Sequence, residues 1–412
     1  MDKWVLANIR VFDGTRLTEP TDLTVEGAVI SRVGGSRAED GAVVDGGGAT
    51  LLPGLIDAHT HADEQALRQA LTFGVTTEFD LMSTPETMIP LRARVATSFD
   101  LADVRSSSFG LTTPEGHPHQ LRHGQNDPVW PTATSPDQAQ EFVDGRIAEG
   151  ADYIKILIED GHTLGTTLPT LPPDIVEATV RAGHERGKMV LAHAMTVAAT
   201  ELAVAAGADG LTHLFVDRPH TDELITRIAD SGMFVIPTLS TLASITGQRR
   251  GANLANDPRV RAKLTPEWVD NLSRDWSFQS PQQFQYALDT VAALQAAGVD
   301  VLAGTDASHL GAYGMAHGAS LHDELRLLAL AGFTQADALN AATSVPAARF
   351  GLQDRGSIRP GARADLVLVD GDPTKDLGRT LSLLGVWRGG VRLDPAAINP
   401  ANRARTTAGL GE

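Results

Sequence analysis

From position 55 onward, short apolar runs alternate with longer stretches whose apolar residues recur at helical spacing. Eight runs read as buried strands, at 55–61, 76–80, 104–109, 153–158, 189–193, 210–214, 234–238 and 299–306. Between them, 136–149, 173–186, 197–206, 222–231 and 281–297 carry the 3.6-residue period of amphipathic helices. Eight strands with interleaved helices predict an α/β fold, the (β/α)8 TIM barrel. No Gly-x-Gly-x-x-Gly follows the first strand, which disfavours a doubly wound sheet.

Both ends have a different texture. The first fifty residues hold short β-like runs broken by Asp13-Gly14 and Gly46-Gly47-Gly48. Comparable runs return at Gly356-Ser357-Ile358, 364–369, 386–388 and 391–393. The expected organisation is a composite, β-sandwich-like small domain from residues 1–52 and 356–412, beside a barrel at 53–355. A long insertion at 239–280 carries Arg249-Arg250, Trp268 and Trp276. On the C-terminal face of a barrel such insertions form lids or substrate walls.

Composition narrows the chemistry. The chain of 412 residues has no cysteine, so disulfides, thiolate metal sites and thiol nucleophiles are excluded. Its net charge of −17 argues against nucleic-acid and membrane partners. Met1-Asp2-Lys3-Trp4-Val5 lacks the basic and apolar regions of a signal peptide, so a cytoplasmic location is expected. Only 5 of the 34 basic residues are Lys, so each Lys needs a reason.

One such lysine is Lys155, inside the apolar run Tyr153-Ile154-Lys155-Ile156-Leu157-Ile158. Burial of an ammonium is costly and favours the neutral amine. A neutral amine can add carbon dioxide to become a carbamate, an anionic ligand able to bridge two metal ions. The alternative is a lysine paired with Glu159 or Asp160.

The strand ends supply further candidates. In Asp57-Ala58-His59-Thr60-His61, residues two apart share a face, so His59 and His61 can bind one ion. Asp57 shares that parity and is placed to orient a ligand imidazole. Taken alone, this motif fits equally two histidines hydrogen-bonded in a polar loop. Run five, however, ends at His193, run six at His213 and run eight at Asp306. Such barrels keep their catalytic groups on that rim, which favours a metal site.

These residues resemble the amidohydrolase superfamily. Pro53-Gly54-Leu55-Ile56-Asp57-Ala58-His59-Thr60-His61, then Lys155, His193, His213 and Asp306, are similar to its binuclear branch with a carboxylated lysine, which includes prolidase-like and ochratoxinase-type amidases. Gly356-Ser357-Ile358-Arg359-Pro360-Gly361 and, more loosely, Thr113-Pro114-Glu115-Gly116-His117 add to the likeness. The resemblance implies one metal held by His59, His61 and Asp306, and a second by His193 and His213. Carboxylated Lys155 and a hydroxide would bridge them. It further implies two divalent cations, zinc first, with Asp306 as base and then acid. The expected reaction is hydrolysis of an amide bond in a small molecule such as an N-acyl amino acid or dipeptide. Carbamate, urea, ester or lactone bonds are the alternative. A homo-oligomer is expected.

Loop histidines are weaker candidates for substrate contact: His117, His119, His162 and His309 first, with His123, His220 and His317 in the same class of position. Arg249 and Arg250 offer a carboxylate clamp, although tandem arginines are more often solvated. A mononuclear deaminase is disfavoured, because the position three beyond His193 is Thr196 where such enzymes usually carry a Glu. A non-catalytic relative would be expected to have lost some ligands, and no Gly-x-Ser-x-Gly elbow is present for a serine hydrolase.

Overall fold

The computed structural model describes residues 3–35, 41–121, 129–280 and 283–398. Seven of the eight expected barrel strands form ladders. Leu55–Thr60, Val75–Asp80 and Asp103–Ser106 make one parallel sheet, and Ile154–Ile158, Val190–Ala194, Gly210–Thr212 and Phe234–Ile236 make another. Residue 111 joins the two, its N–H donating to the Lys155 carbonyl and its own carbonyl accepting from the Leu157 N–H, each at 2.9 Å.

The eighth run, 299–306, forms no ladder of its own. Instead it closes the barrel by single bridges, Val235 to Val301 on one side and Thr60 to Ala307 on the other. Close approach explains the irregularity. A Cβ on Gly304 would lie 2.4 Å from Ile236 Cγ2 and 2.8 Å from the His59 amide nitrogen, so only glycine lets this segment press against the first strand.

Alternation along the strands sorts the side chains. Ile154, Ile156, Val190, Ala192 and Val235 join the large core shared with the helices. Tyr153, Leu191, Phe234, Ile236 and Leu302 form a second cluster inside the barrel. There the Phe350 ring packs on Phe79 at 4.1 Å and Tyr153 at 5.2 Å, closing the floor below Lys155.

Strands from both ends of the chain build one eight-stranded sheet. Thr50–Pro53 runs antiparallel to Leu366–Val369, which pairs with Leu383–Arg388. Alternation again divides the residues: Leu51, Leu366, Leu368 and Trp387 fill the small core, while Val367, Val369 and Val386 face the barrel. Asp103 ties the two parts together through Arg355 (2.6 Å) and Arg363 (2.8 Å). Residues 356–361 are turn rather than strand, as their Gly and Pro content allows.

The 239–280 insertion is helical, with helices at Leu239–Ile245, Arg250–Ala255, Pro258–Arg261 and Pro266–Ser273. No helix among the described residues is long and apolar enough to cross a membrane.

Candidate active site

The C-terminal ends of the barrel strands bring His59, His61, Lys155, His193, His213 and Asp306 to the base of one cavity of about 810 Å³. Oδ1 of Asp306 lies 3.0 Å from Nε2 of His61 and 3.3 Å from Nε2 of His59. The His213 ring stands 4.7 Å from that of His59 and 4.5 Å from that of His193. Ligand atoms of His59, His213 and Asp306 lie within 4.8 Å of one another, close enough to share an ion.

Backbone strain helps aim two of these groups. His213 (φ 69°) and Asp306 (φ 60°) both adopt the left-handed region, uncommon for residues with a Cβ. So does Thr238 (φ 48°), a β-branched residue whose Oγ1 meets His213 Nδ1 at 2.7 Å.

Hydrogen bonds fix which ring nitrogen His61, His193 and His213 present. His61 Nδ1 donates to the Met82 carbonyl (2.9 Å), leaving Nε2 toward Asp306. The Nε2 of His193 meets the buried Glu159 carboxylate at 2.9 Å, leaving Nδ1 for the cluster. A carboxylate behind a histidine in this way raises its basicity and fixes its orientation as a metal ligand. His59 Nδ1 is buried without a partner. The crowding of four imidazoles and a carboxylate at one point suits a ligand set organised around a cation, with His59 Nε2, the nitrogen beside Asp306, as the donor.

Most of these rings are neutral. Burial pushes His193 down to about 3, and lowers His59 and His213 as well, with the Lys155 charge adding to each. For His61 burial also acts downward, but the Asp306 hydrogen bond and charge outweigh it and leave the group raised. Burial lowers Lys155 to about 7, against the pull of Asp306 and Asp80. Its Nζ has one hydrogen-bond partner shown, the Thr212 hydroxyl on the neighbouring strand but one.

Several expectations need correction. Asp57 does not touch an imidazole ring. Its carboxylate accepts from the Thr305 hydroxyl (2.7 Å), the Thr305 N–H (3.0 Å) and the His59 N–H (3.2 Å), locking the eighth segment to the first strand. Glu159 serves His193 rather than Lys155, and Asp160 accepts from the His162 N–H at 2.9 Å.

Among the loop histidines, His117, His309 and His317 line the cavity. His119 and His162 do not. His119 turns its Nδ1 to the Gly116 carbonyl (2.9 Å) and its edge to Trp130, while His162 is exposed and held by its backbone. His220 bonds Thr290 (3.1 Å), and His123 lies outside the described residues. Arg250 is clamped by Asp323 at 2.7 and 3.0 Å and lies away from the cavity, as does Arg249.

Thr241 was not anticipated. Its hydroxyl donates to the Thr305 carbonyl (2.9 Å) and stands 3.3 Å from Asp306 Oδ2. Nothing local in the sequence marks it, because it belongs to a helix of the insertion and meets Asp306 only in space. Thr196 is accounted for structurally: its hydroxyl caps the helix Val197–Ala205 by accepting from the Ala199 N–H.

Similarity to known proteins agrees with this geometry. An uncharacterized protein of Mycobacterium tuberculosis (strain ATCC 25618 / H37Rv) is 27% identical over 351 residues, 82% of each chain. A crystal structure of a Xaa-Pro dipeptidase superposes with a TM-score of 0.75 at 22% identity, covering 95% of this chain and 100% of the other. Ochratoxinase of A. niger superposes with a TM-score of 0.74 at 19% identity, covering 96% and 97%. At such identities the two structures show the shared fold. The sequence profile of the Amidohydrolase family matches residues 147–393, and the chain belongs to that family of enzymes acting on carbon–nitrogen bonds.

Proposed function

We propose that the chain is a binuclear metal-dependent hydrolase that cleaves an amide or closely related C–N bond of a small molecule. The observation that carries this reading is the convergence of four histidines and Asp306 around the buried amine of Lys155. His59, His61 and Asp306 would hold one divalent ion, His193 and His213 a second, and N-carboxylated Lys155 would join them. Carboxylation needs only the neutral amine, which attacks carbon dioxide and releases one proton. Lys155, lowered to about 7, supplies that form near neutral pH. Imidazole and carboxylate donors suit zinc, with manganese or cobalt as other occupants. When bound, such ions polarise a substrate carbonyl and acidify water.

The chain's own residues do the rest. Asp306, steadied by the Thr241 hydroxyl, accepts the proton released on attack and returns it to the leaving nitrogen. His117 accepts from the Gln120 side-chain amide at Nδ1 (2.8 Å), so its Nε2 carries the hydrogen. Standing 5.1 Å from the His193 ring, it is placed to donate to the developing oxyanion. Thr196, occupied as a helix cap, has no part to play as a proton shuttle, which counts against the deaminase alternative.

The test is hydrolysis across N-acyl amino acids, dipeptides, anilides, aryl ureas and esters by metal-loaded protein, with and without a chelator. Chelator-sensitive cleavage of C–N bonds is expected. Turnover of esters alone, or turnover indifferent to chelation, would remove the proposal.

A further inference from the structure

The cavity above the site has an unusual balance of walls. Phe109, Trp130, Trp268, Trp276 and Phe278 line it together with several Leu and Met side chains. Among the described residues no arginine lines it, and the one lysine is Lys155 at its base. Recognition of a carboxylate ordinarily uses an arginine fork or an equivalent cation. Nearby arginines are committed elsewhere: Arg250 to Asp323, and Arg274 to the Tyr313 ring at 3.9 Å and to Asp270. The imidazoles do not replace them. His117 Nδ1 accepts from the Gln120 amide at 2.8 Å, His317 is paired with Glu78 at 3.1 Å, and His309 meets the Ser308 hydroxyl at 3.0 Å. Asp63 adds a negative charge to the lining, and the net charge of −17 repels anions at long range.

The aromatic wall is held in place. Trp276 and Phe278 stack at 5.3 Å with an interplanar angle of 23°. Their segment is tied to one side of the mouth by Trp276 N–H to Ser244 Oγ (3.1 Å) and Gln279 N–H to the Ile245 carbonyl (2.9 Å). On the other side the Gln279 amide donates to the carbonyls of His162 (3.0 Å) and Thr163 (3.1 Å). A strap fixed at both sides presents a flat apolar face at low entropic cost, the arrangement that offset stacking of a planar ligand needs.

Resting on the hydrolase reading above, the geometry points to a substrate class: uncharged aryl amides, carbamates or ureas whose ring stacks on Trp276 and Phe278, rather than substrates bearing a free carboxylate. Specificity then comes from the strap, with the ligand cluster indifferent to which neutral carbonyl it receives.

Two measurements on the metal-loaded, full-length protein test this. The first is calorimetric binding of two non-cleavable ketones, 2-acetylnaphthalene and 6-acetyl-2-naphthoate. The neutral ketone should bind roughly tenfold tighter or better, and Phe278→Ala should weaken it by roughly tenfold. The second is kcat/KM for acetanilide against 4-acetamidobenzoate, where the neutral anilide should lead by a similar factor. Equal or tighter binding of the carboxylate, no binding of either ketone at millimolar concentration, or an unchanged affinity in Phe278→Ala overturns the inference. Preferred binding of the neutral ketone with no chelator-sensitive cleavage of any amide, carbamate or urea tested would leave the ligand class standing and sink the hydrolase reading alone.

Discussion

Asp306 and His61, 245 positions apart in the chain, meet Oδ1 to Nε2 at 3.0 Å across the seam where the eighth barrel segment closes on the first strand. The contact unites a carboxylate with an imidazole whose other nitrogen is already committed to the Met82 carbonyl. It therefore leaves Asp306 both beside the ions we propose and within reach of a proton to be moved.

Asp306→Asn tests that double role. The amide keeps the shape and one donor oxygen but cannot take up a proton. Turnover should fall roughly a hundred- to ten-thousand-fold while bound metal is retained, as read by steady-state rates and elemental analysis of the same preparation. Near-wild-type rates would take Asp306 out of the proton path.

Lys155→Ala should abolish most activity, and short carboxylic acids such as acetate or propionate should restore part of it by occupying the vacated bridging position. Wild-type protein equilibrated with ¹³C-labelled bicarbonate should show a carbamate carbon resonance that the variant lacks. A variant with full activity would make Lys155 a structural residue.

Glu159→Gln addresses the support behind His193. Loss of the carboxylate facing Nε2 removes the charge that favours the ligand form of that ring. Affinity for the more weakly held ion should drop by about 10- to 100-fold in competition with a chromophoric chelator. An unchanged affinity would show that Glu159 merely fills space.

The candidate ligands His59, His61, His193, His213 and Asp306 were legible because they close apolar runs, and strand parity alone sends His59 and His61 to the same side. What escaped was pairing across distance. Glu159 follows the Lys155 strand in sequence, yet its carboxylate reaches sideways to His193 on the next strand. Asp57 has the parity of a ligand's partner but lies one layer lower, where Thr305 takes both of its oxygens. The eighth segment reads as an ordinary strand, and only the contact distances at Gly304 reveal why it makes bridges instead of a ladder. Likewise the composite sheet was visible as β-like texture at both chain ends, whereas the turn at 356–361 was not separable from it by composition.

Lys263 offers a stability test away from the site. Its ammonium lies 4.7 Å from the Phe73 ring centroid and donates to the Thr72 carbonyl at 2.9 Å. Burial, with Arg259 adding repulsion, lowers it from 10.5 to about 7. Between those pH values the unfolded chain retains a proton that the folded chain has lost, so this group makes stability rise with pH across that window. Lys263→Met should flatten the rise, measured as denaturant midpoints of both proteins from about pH 7 to pH 10. Parallel profiles for the two would show that Lys263 keeps an ordinary pKa in the fold.

Metal stoichiometry bears most directly on the central claim. Protein prepared with zinc and bicarbonate should carry two ions per chain by elemental analysis, with anomalous scattering placing one beside His59, His61 and Asp306 and the other beside His193 and His213. A single ion, ions bound elsewhere, or full hydrolytic activity in protein stripped of metal would contradict it.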